Sequence, residues 1–171
     1  MSPPLETLGL PPSSLPETLT FDELENPHVR LGANYWLARR GERPFPSRKD
    51  LNPRDFTAAL PYMSLVKVID GGADFEHRIV GDHCVKALRI PAQNRRFKEI
   101  ELVAPKLIAI SRPFFERVVQ TRLPVISRTR SDFTRPDVNF THIDTVFLPL
   151  GDSDDAVDHI LTFSSFYRRI D

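Results

Sequence analysis

Apolar residues recur along this chain with two different periods. Val29, Ala33, Trp36 and Leu37 follow Asn26-Pro27 at roughly helical spacing. A capping asparagine with proline in the next turn starts a helix, Arg39 and Arg40 suit its last turn, and Gly41 ends it. The pattern predicts a helix over residues 27–40. Tyr35 and Trp36 on it need burial, against a sheet or a second subunit. A longer helix follows Ala104-Pro105, where Leu107, Ile110, Phe114 and Val118 step by three, four and four residues. Pro113 should kink or split it, and Pro124 prevents its extension. Residues 42–61 are rich in proline and charge and read as an ordered loop with one short helix at Asn52-Pro53.

The second period is two. Met63–Asp70 and Ala73–Val80 are strands joined at Gly71-Gly72, a hairpin signal. In the second strand, alternation puts Phe75, His77 and Ile79 on one face. A short helix with Cys84, Val85 and Leu88 follows Gly81. Three strands close the chain, about Val125–Asp132, Val138–Leu150 and Ala156–Tyr167, with turns at Arg135-Pro136-Asp137 and Gly151–Asp155. Apolar residues on both faces of the last two strands imply that both faces of the sheet are covered. The order helix, β, β, helices, β, β, β is that of an α+β domain with a five-stranded antiparallel sheet, a helical crossover and an N-terminal helix.

Composition narrows the classes. The 171 residues suit one domain, placed at 27–171, and residues 1–26, with Pro3, Pro4, Pro11, Pro12 and Pro16, read as a flexible arm. Basic and acidic residues number 23 each, so there is no basic excess for nucleic acid and no polybasic route to a membrane. No run approaches the roughly 20 apolar residues that cross a bilayer, and the start lacks a secretory signal. A cytoplasmic protein is expected. One cysteine, Cys84, rules out an internal disulfide framework and a cysteine-based zinc cage. His77, His83 and Cys84 lack a fourth ligand, so no metal is expected.

The local motifs carry a resemblance. Tyr35-Trp36, Arg43-Pro44, Pro46, Arg48, Asp50-Leu51, Pro53 and Leu60-Pro61 resemble the opening of an alphaproteobacterial PAS-like family, formerly a domain of unknown function. Leu65–Ile69, Arg78-Ile79-Val80-Gly81, Leu148-Pro149-Leu150 and the acidic turn Asp152–Asp155 resemble its later strands. The resemblance covers about residues 30–168. It implies a cavity between sheet and helical crossover. It departs at Arg89–Arg96, where the family usually carries a glycine-bearing turn and this chain has no glycine.

Candidate cavity residues are Phe75, His77, Ile79, Leu88, Phe97, Ile110, Phe114, Phe140 and His142. A filled core and an open cavity both fit these aromatics. Haem-binding relatives place a histidine on the crossover helix, and 105–121 has none. Flavin-photosensing relatives carry a reactive cysteine motif that Gly-Asp-His-Cys-Val-Lys does not match. Both cofactors are disfavoured, and an unidentified small ligand remains open. The expected function is a stand-alone sensory or regulatory domain, not an enzyme. It would act on a regulatory protein partner and form a homodimer through Val29, Ala33, Trp36 and Leu37. The alternatives are a small-molecule carrier or cavity enzyme using His77 or His142, and an adaptor with a filled core. The arginines between Arg112 and Arg135 and the acidic turn read either as docking patches or as locally paired charge.

Overall fold

A computed structural model describes residues 17–18, 21–130 and 142–167. The N-terminal helix α1 spans Pro27–Arg40, with Asn26 Oδ1 accepting from the His28 and Val29 amides at 2.9 and 3.2 Å. The proline-rich stretch behind it holds two short 3-10 helices, Arg48–Asp50 and Pro53–Tyr62, where one was expected. The long helix runs Pro105–Thr121 with Pro113 inside it and does not split there. Ile108, Ile110, Phe115 and Val118, buried on either side of the proline, hold the two halves in place.

The strands form an antiparallel sheet. In chain order they are β1 (Glu17–Thr18), β2 (Met63–Ile69), β3 (Asp74–Val80), β4 (Val125–Arg130), β5 (His142–Leu150) and β6 (His159–Tyr167). Their order across the sheet is β1-β4-β5-β6-β2-β3. The five expected strands are present. The sixth, two-residue strand pairs Glu17 with Arg128 and Thr18 with Ser127, inside the segment read as an arm. The chain is also packed before α1, because Leu24 is only 1% exposed. The turn expected at Arg135–Asp137 and the strand start at Val138 lie outside the described residues.

Both sheet faces are covered, as the apolar pattern of the last strands required. α1 crosses one face. Val29, Ala33 and Trp36 are at most 1% exposed, and Trp36 Nε1–H donates to the Pro149 carbonyl at 2.9 Å. The sheet, not a second subunit, therefore buries Trp36. The other face carries α2 (Asp82–Leu88), α3 (Phe97–Ile100) and α4 (Pro105–Thr121). Buried charge is paired: Arg128 grips Asp144 of the neighbouring strand through Nε and Nη2 at 2.8 and 3.1 Å.

Several members of the charged patches pair with one another among the described residues. Arg112 meets Asp74 at 3.4 Å, Arg122 meets Asp155 at 3.9 Å, and Arg43 meets Asp154 at 2.8 Å. The Ser47 hydroxyl bonds Asp152, which with Lys49 nearby holds that carboxyl below its usual range.

The approach of α1 to the sheet depends on Gly32. A Cβ there would stand 2.5 Å from the Phe163 ring, which is itself fully buried. Alanine improves helix propensity by roughly 1 kcal/mol, but overpacking a rigid core costs about 1–3 kcal/mol. Gly32→Ala is expected to lower stability by up to about 2 kcal/mol in urea unfolding, and a stabilised variant would contradict the contact.

Candidate functional site

The site lies between the sheet and α2–α4. Alternation along each strand sends one set of side chains to this layer and the other set to α1. Ser64 of β2, Thr145 and Phe147 of β5, and Thr162, Ser164 and Phe166 of β6 face the helices. Cys84 and Leu88 of α2, and Phe97 and Ile100 of α3, form one side. Leu107, Ile108, Ser111 and Phe115 of α4 form the roof. Together with His77 and Val80 of β3 they line a cavity of about 110 Å³.

β3 reaches this face irregularly. Leu65 pairs with Ile79, but Val66 pairs with His77, so Arg78 is an extra residue and the strand bulges there. The bulge shifts the alternation by one. His77 and Val80 line the cavity, whereas Ile79 turns outward and is 40% exposed. The expectation that Phe75, His77 and Ile79 share a face fails at Ile79 for this reason.

Of the other expected residues, Leu88 and Phe97 line the cavity. Phe75 is fully buried but stands behind the wall, 5.2 Å from Phe97 and 5.4 Å from Phe115 between ring centres. Ile110 is buried off the cavity-facing stripe of α4, and Phe114 stacks on Phe147 at 5.3 Å rather than lining the space. His142 precedes the lining residue Ile143, so alternation points it to the opposite face, where it stacks on Tyr167 at 4.2 Å. Phe140 lies outside the described residues. The dimer face expected on α1 is corrected as well: Val29, Ala33 and Trp36 are spent on the sheet, and only Leu37, 42% exposed, is available.

Periodicity passed over the hydroxyls. Ser64, Ser111, Thr145, Thr162 and Ser164 were not among the expected cavity residues, yet each faces a covered layer. Four of them have hydrogen-bond partners within the protein. Ser111 Oγ donates to the Leu107 carbonyl at 2.7 Å, Thr145 Oγ1 and Ser164 Oγ lie 2.9 Å apart, and Thr162 Oγ1 reaches the Ser64 carbonyl at 3.5 Å. The Cys84 thiol donates to the Tyr62 carbonyl at 3.5 Å. Burial pushes that thiol up to about 12, so Cys84 is an inert, neutral wall. The sequence signal for Ser64, Thr145, Thr162 and Ser164 was their place in strands covered on both sides; Ser111, on α4, had none.

His77 differs from all of these. The residue is half-buried, and its Nδ1 is sealed from solvent with no hydrogen-bond partner. Its ring lies 5.3 Å from that of Phe97. Its backbone does separate work. The His77 N–H donates to the Arg95 carbonyl at 3.0 Å, and its carbonyl accepts from the Asn94 N–H at 2.7 Å. These bonds fasten the lid segment, residues 89–96, to the edge of β3, next to an Arg96–Glu76 bridge. Arg89 and Asn94 bend the lid with φ of 54° and 60°, so two residues with side chains supply the left-handed turns that glycine would make without strain. Among the described residues no three His, Cys, Asp or Glu side chains gather as a metal set, and no helix is long and apolar enough to cross a membrane.

Burial pulls the His77 pKa down to about 4 from 6.5. The unfolded ring therefore takes up a proton that the folded ring refuses, and stability falls as pH drops through that window. The loss reaches about 3 kcal/mol once pH is below the folded value. The neighbouring charges Glu76, Arg78 and Arg96 pair with one another at the strand edge. In urea unfolding between pH 7 and pH 4, His77→Phe is expected to show a shallower decline than the wild-type protein. Parallel declines would mean that the ring is solvated.

The PAS domain family's sequence model matches residues 25–164, from just before α1 to within β6. No curated protein and no solved structure matches the chain. The match takes in both layers around the sheet, the cavity and the lid. With the five-stranded antiparallel sheet and its helical crossover, it places this chain in the PAS domain family, whose members are sensory and regulatory domains.

Proposed function

We propose that this chain is a ligand-gated regulatory domain: a small molecule in the sheet–helix cavity changes the hold of His77 on the lid, and a protein partner reads the change. One observation carries the reading. The residue with an unpartnered buried ring nitrogen at the cavity is the residue whose backbone fastens the lid. An occupant that moves the ring acts on both lid bonds without any relay. Occupancy then shifts the population of fastened and released lid.

A cavity of about 110 Å³ supports a ligand far smaller than haem or flavin. The output is proposed to be protein contact, with a homodimer as the first candidate and Leu37 as the one exposed member of the α1 set. The carrier or cavity-enzyme alternative retains only His77, because His142 stands on the other face.

Native and denaturing mass spectrometry on the same preparation test both parts. The expected native spectrum shows a dimer carrying a small extra mass that denaturation releases. A monomer contradicts the dimer. A bare chain that also acquires no mass when incubated with single-ring compounds contradicts gating and favours the filled-core adaptor.

A further inference from the structure

We infer that the cavity takes a small, neutral, hydroxyl-bearing molecule of one ring or less, whose hydroxyl bonds His77 Nδ1. This rests on the reading of the cavity as a ligand site and names the chemistry that the site selects.

Charge is the first constraint. Among the described residues, no Asp, Glu, Lys or Arg side chain lines the cavity. The titratable groups that line it are His77 and Cys84, and burial keeps both neutral at pH 7. A carboxylate, phosphate or ammonium would enter without a counter-charge, and an unpaired buried ion is prohibitively costly. The occupant is therefore uncharged.

Hydrogen bonding is the second constraint. Four of the five lining hydroxyls already have protein partners, and the Cys84 thiol donates to the Tyr62 carbonyl. Among the lining residues, only His77 has a buried side-chain nitrogen or oxygen without a partner. An unmet buried polar atom costs about 1–3 kcal/mol, and an occupant that satisfies it recovers part of that. A neutral imidazole nitrogen is a donor in one tautomer and an acceptor in the other. A hydroxyl serves both, because it donates and accepts. An amine cation fails on charge, and a pure hydrocarbon leaves Nδ1 unmet.

Size and shape are the third constraint. The space of about 110 Å³ is below the roughly 150 Å³ of an apolar cavity that admits benzene, so one ring is the upper bound unless the lid yields. Phe97, Phe115 and Phe147 meet edge to face, at 5.0 Å for each successive pair. Such a wall receives a flat or aliphatic body equally well. Phenol and short alcohols meet all three constraints.

The test uses the whole chain and three probes of nearly equal size: phenol, benzene and benzoate. Binding is measured at pH 7 by calorimetry, with thermal unfolding as a check. The expected result is that phenol binds about three- to tenfold tighter than benzene, the worth of one neutral hydrogen bond, while benzoate does not bind. In His77→Phe the preference for phenol is expected to vanish while benzene binding persists. Equal binding of phenol and benzene to the wild-type protein overturns the His77 hydrogen bond but leaves the ligand site standing. Benzoate binding as tightly as phenol overturns the neutral class. Failure of all three probes, and of 1-propanol as a smaller hydroxyl-bearing probe, to bind overturns the ligand site itself. Should His77→Phe not fold, the imidazole nitrogen resonances of wild-type His77 decide. Phenol is expected to shift Nδ1 and benzene is not, and identical shifts would overturn the inference.

Discussion

The arrangement rests on one extra residue in an edge strand. Arg78 has no counterpart on β2, and the bulge it makes turns the side-chain alternation over between His77 and Ile79. Without it, His77 and Val80 could not both face the helices. With it, the ring of His77 enters a covered layer while its N–H and carbonyl point along the sheet edge, where β3 has no further strand to pair with. The lid fills that vacancy through Arg95 and Asn94. Edge groups that would otherwise face water or another chain thus become the lid's anchor. Cavity and lid share a residue because bulge and edge coincide.

The second condition is that the sheet is covered on both sides by elements with unequal packing. Against α1 the contact is close enough to require glycine at position 32, and Trp36 locks it with a hydrogen bond to β5. On the other side the cover is made of shorter pieces, α2, α3 and a lid with two strained turns, under the single long helix α4. Space is left there, in the cavity under α2–α4. The hydroxyls on the sheet floor keep that space from collapsing into an aromatic core, since they bond to each other and to carbonyls instead of filling volume. A rigid layer backs a more adjustable one, which is the mechanical requirement for a lid that responds to an occupant.

Much of this was legible in the sequence. The helix caps at Asn26 and Ala104-Pro105, the hairpin pair 63–80 and the two-sided apolar pattern of the last strands yield the α+β order directly. Three of the nine expected cavity residues, His77, Leu88 and Phe97, line the space. The errors share physical causes. A bulge is a register event between two strands, and β3 alone does not reveal it, so Ile79 was assigned to the wrong face. Strand parity separates His142 from the cavity, but parity has meaning only once a neighbouring residue is known to face inward. On α4, Ser111 sits within the cavity-facing stripe and bonds its own helix, so an apolar count places that stripe too far toward Ile110. Tyr35 and Trp36 were expected to need a covering surface, and the sheet supplies it for Trp36; the same burial takes Val29 and Ala33 out of the expected dimer face. Pairing of Glu17–Thr18 with β4 is a long-range backbone contact without a side-chain signature.

The most direct measurement is amide hydrogen exchange at His77 and Asn94, the two N–H groups of the lid clasp, with the cavity empty and with phenol bound. If the clasp is the link between occupant and lid, both amides change their exchange rates together on binding, while the Trp36 amide on the opposite layer does not. If both amides exchange at the same rate in the free and occupied protein, the cavity and the lid are independent and the gating account is wrong.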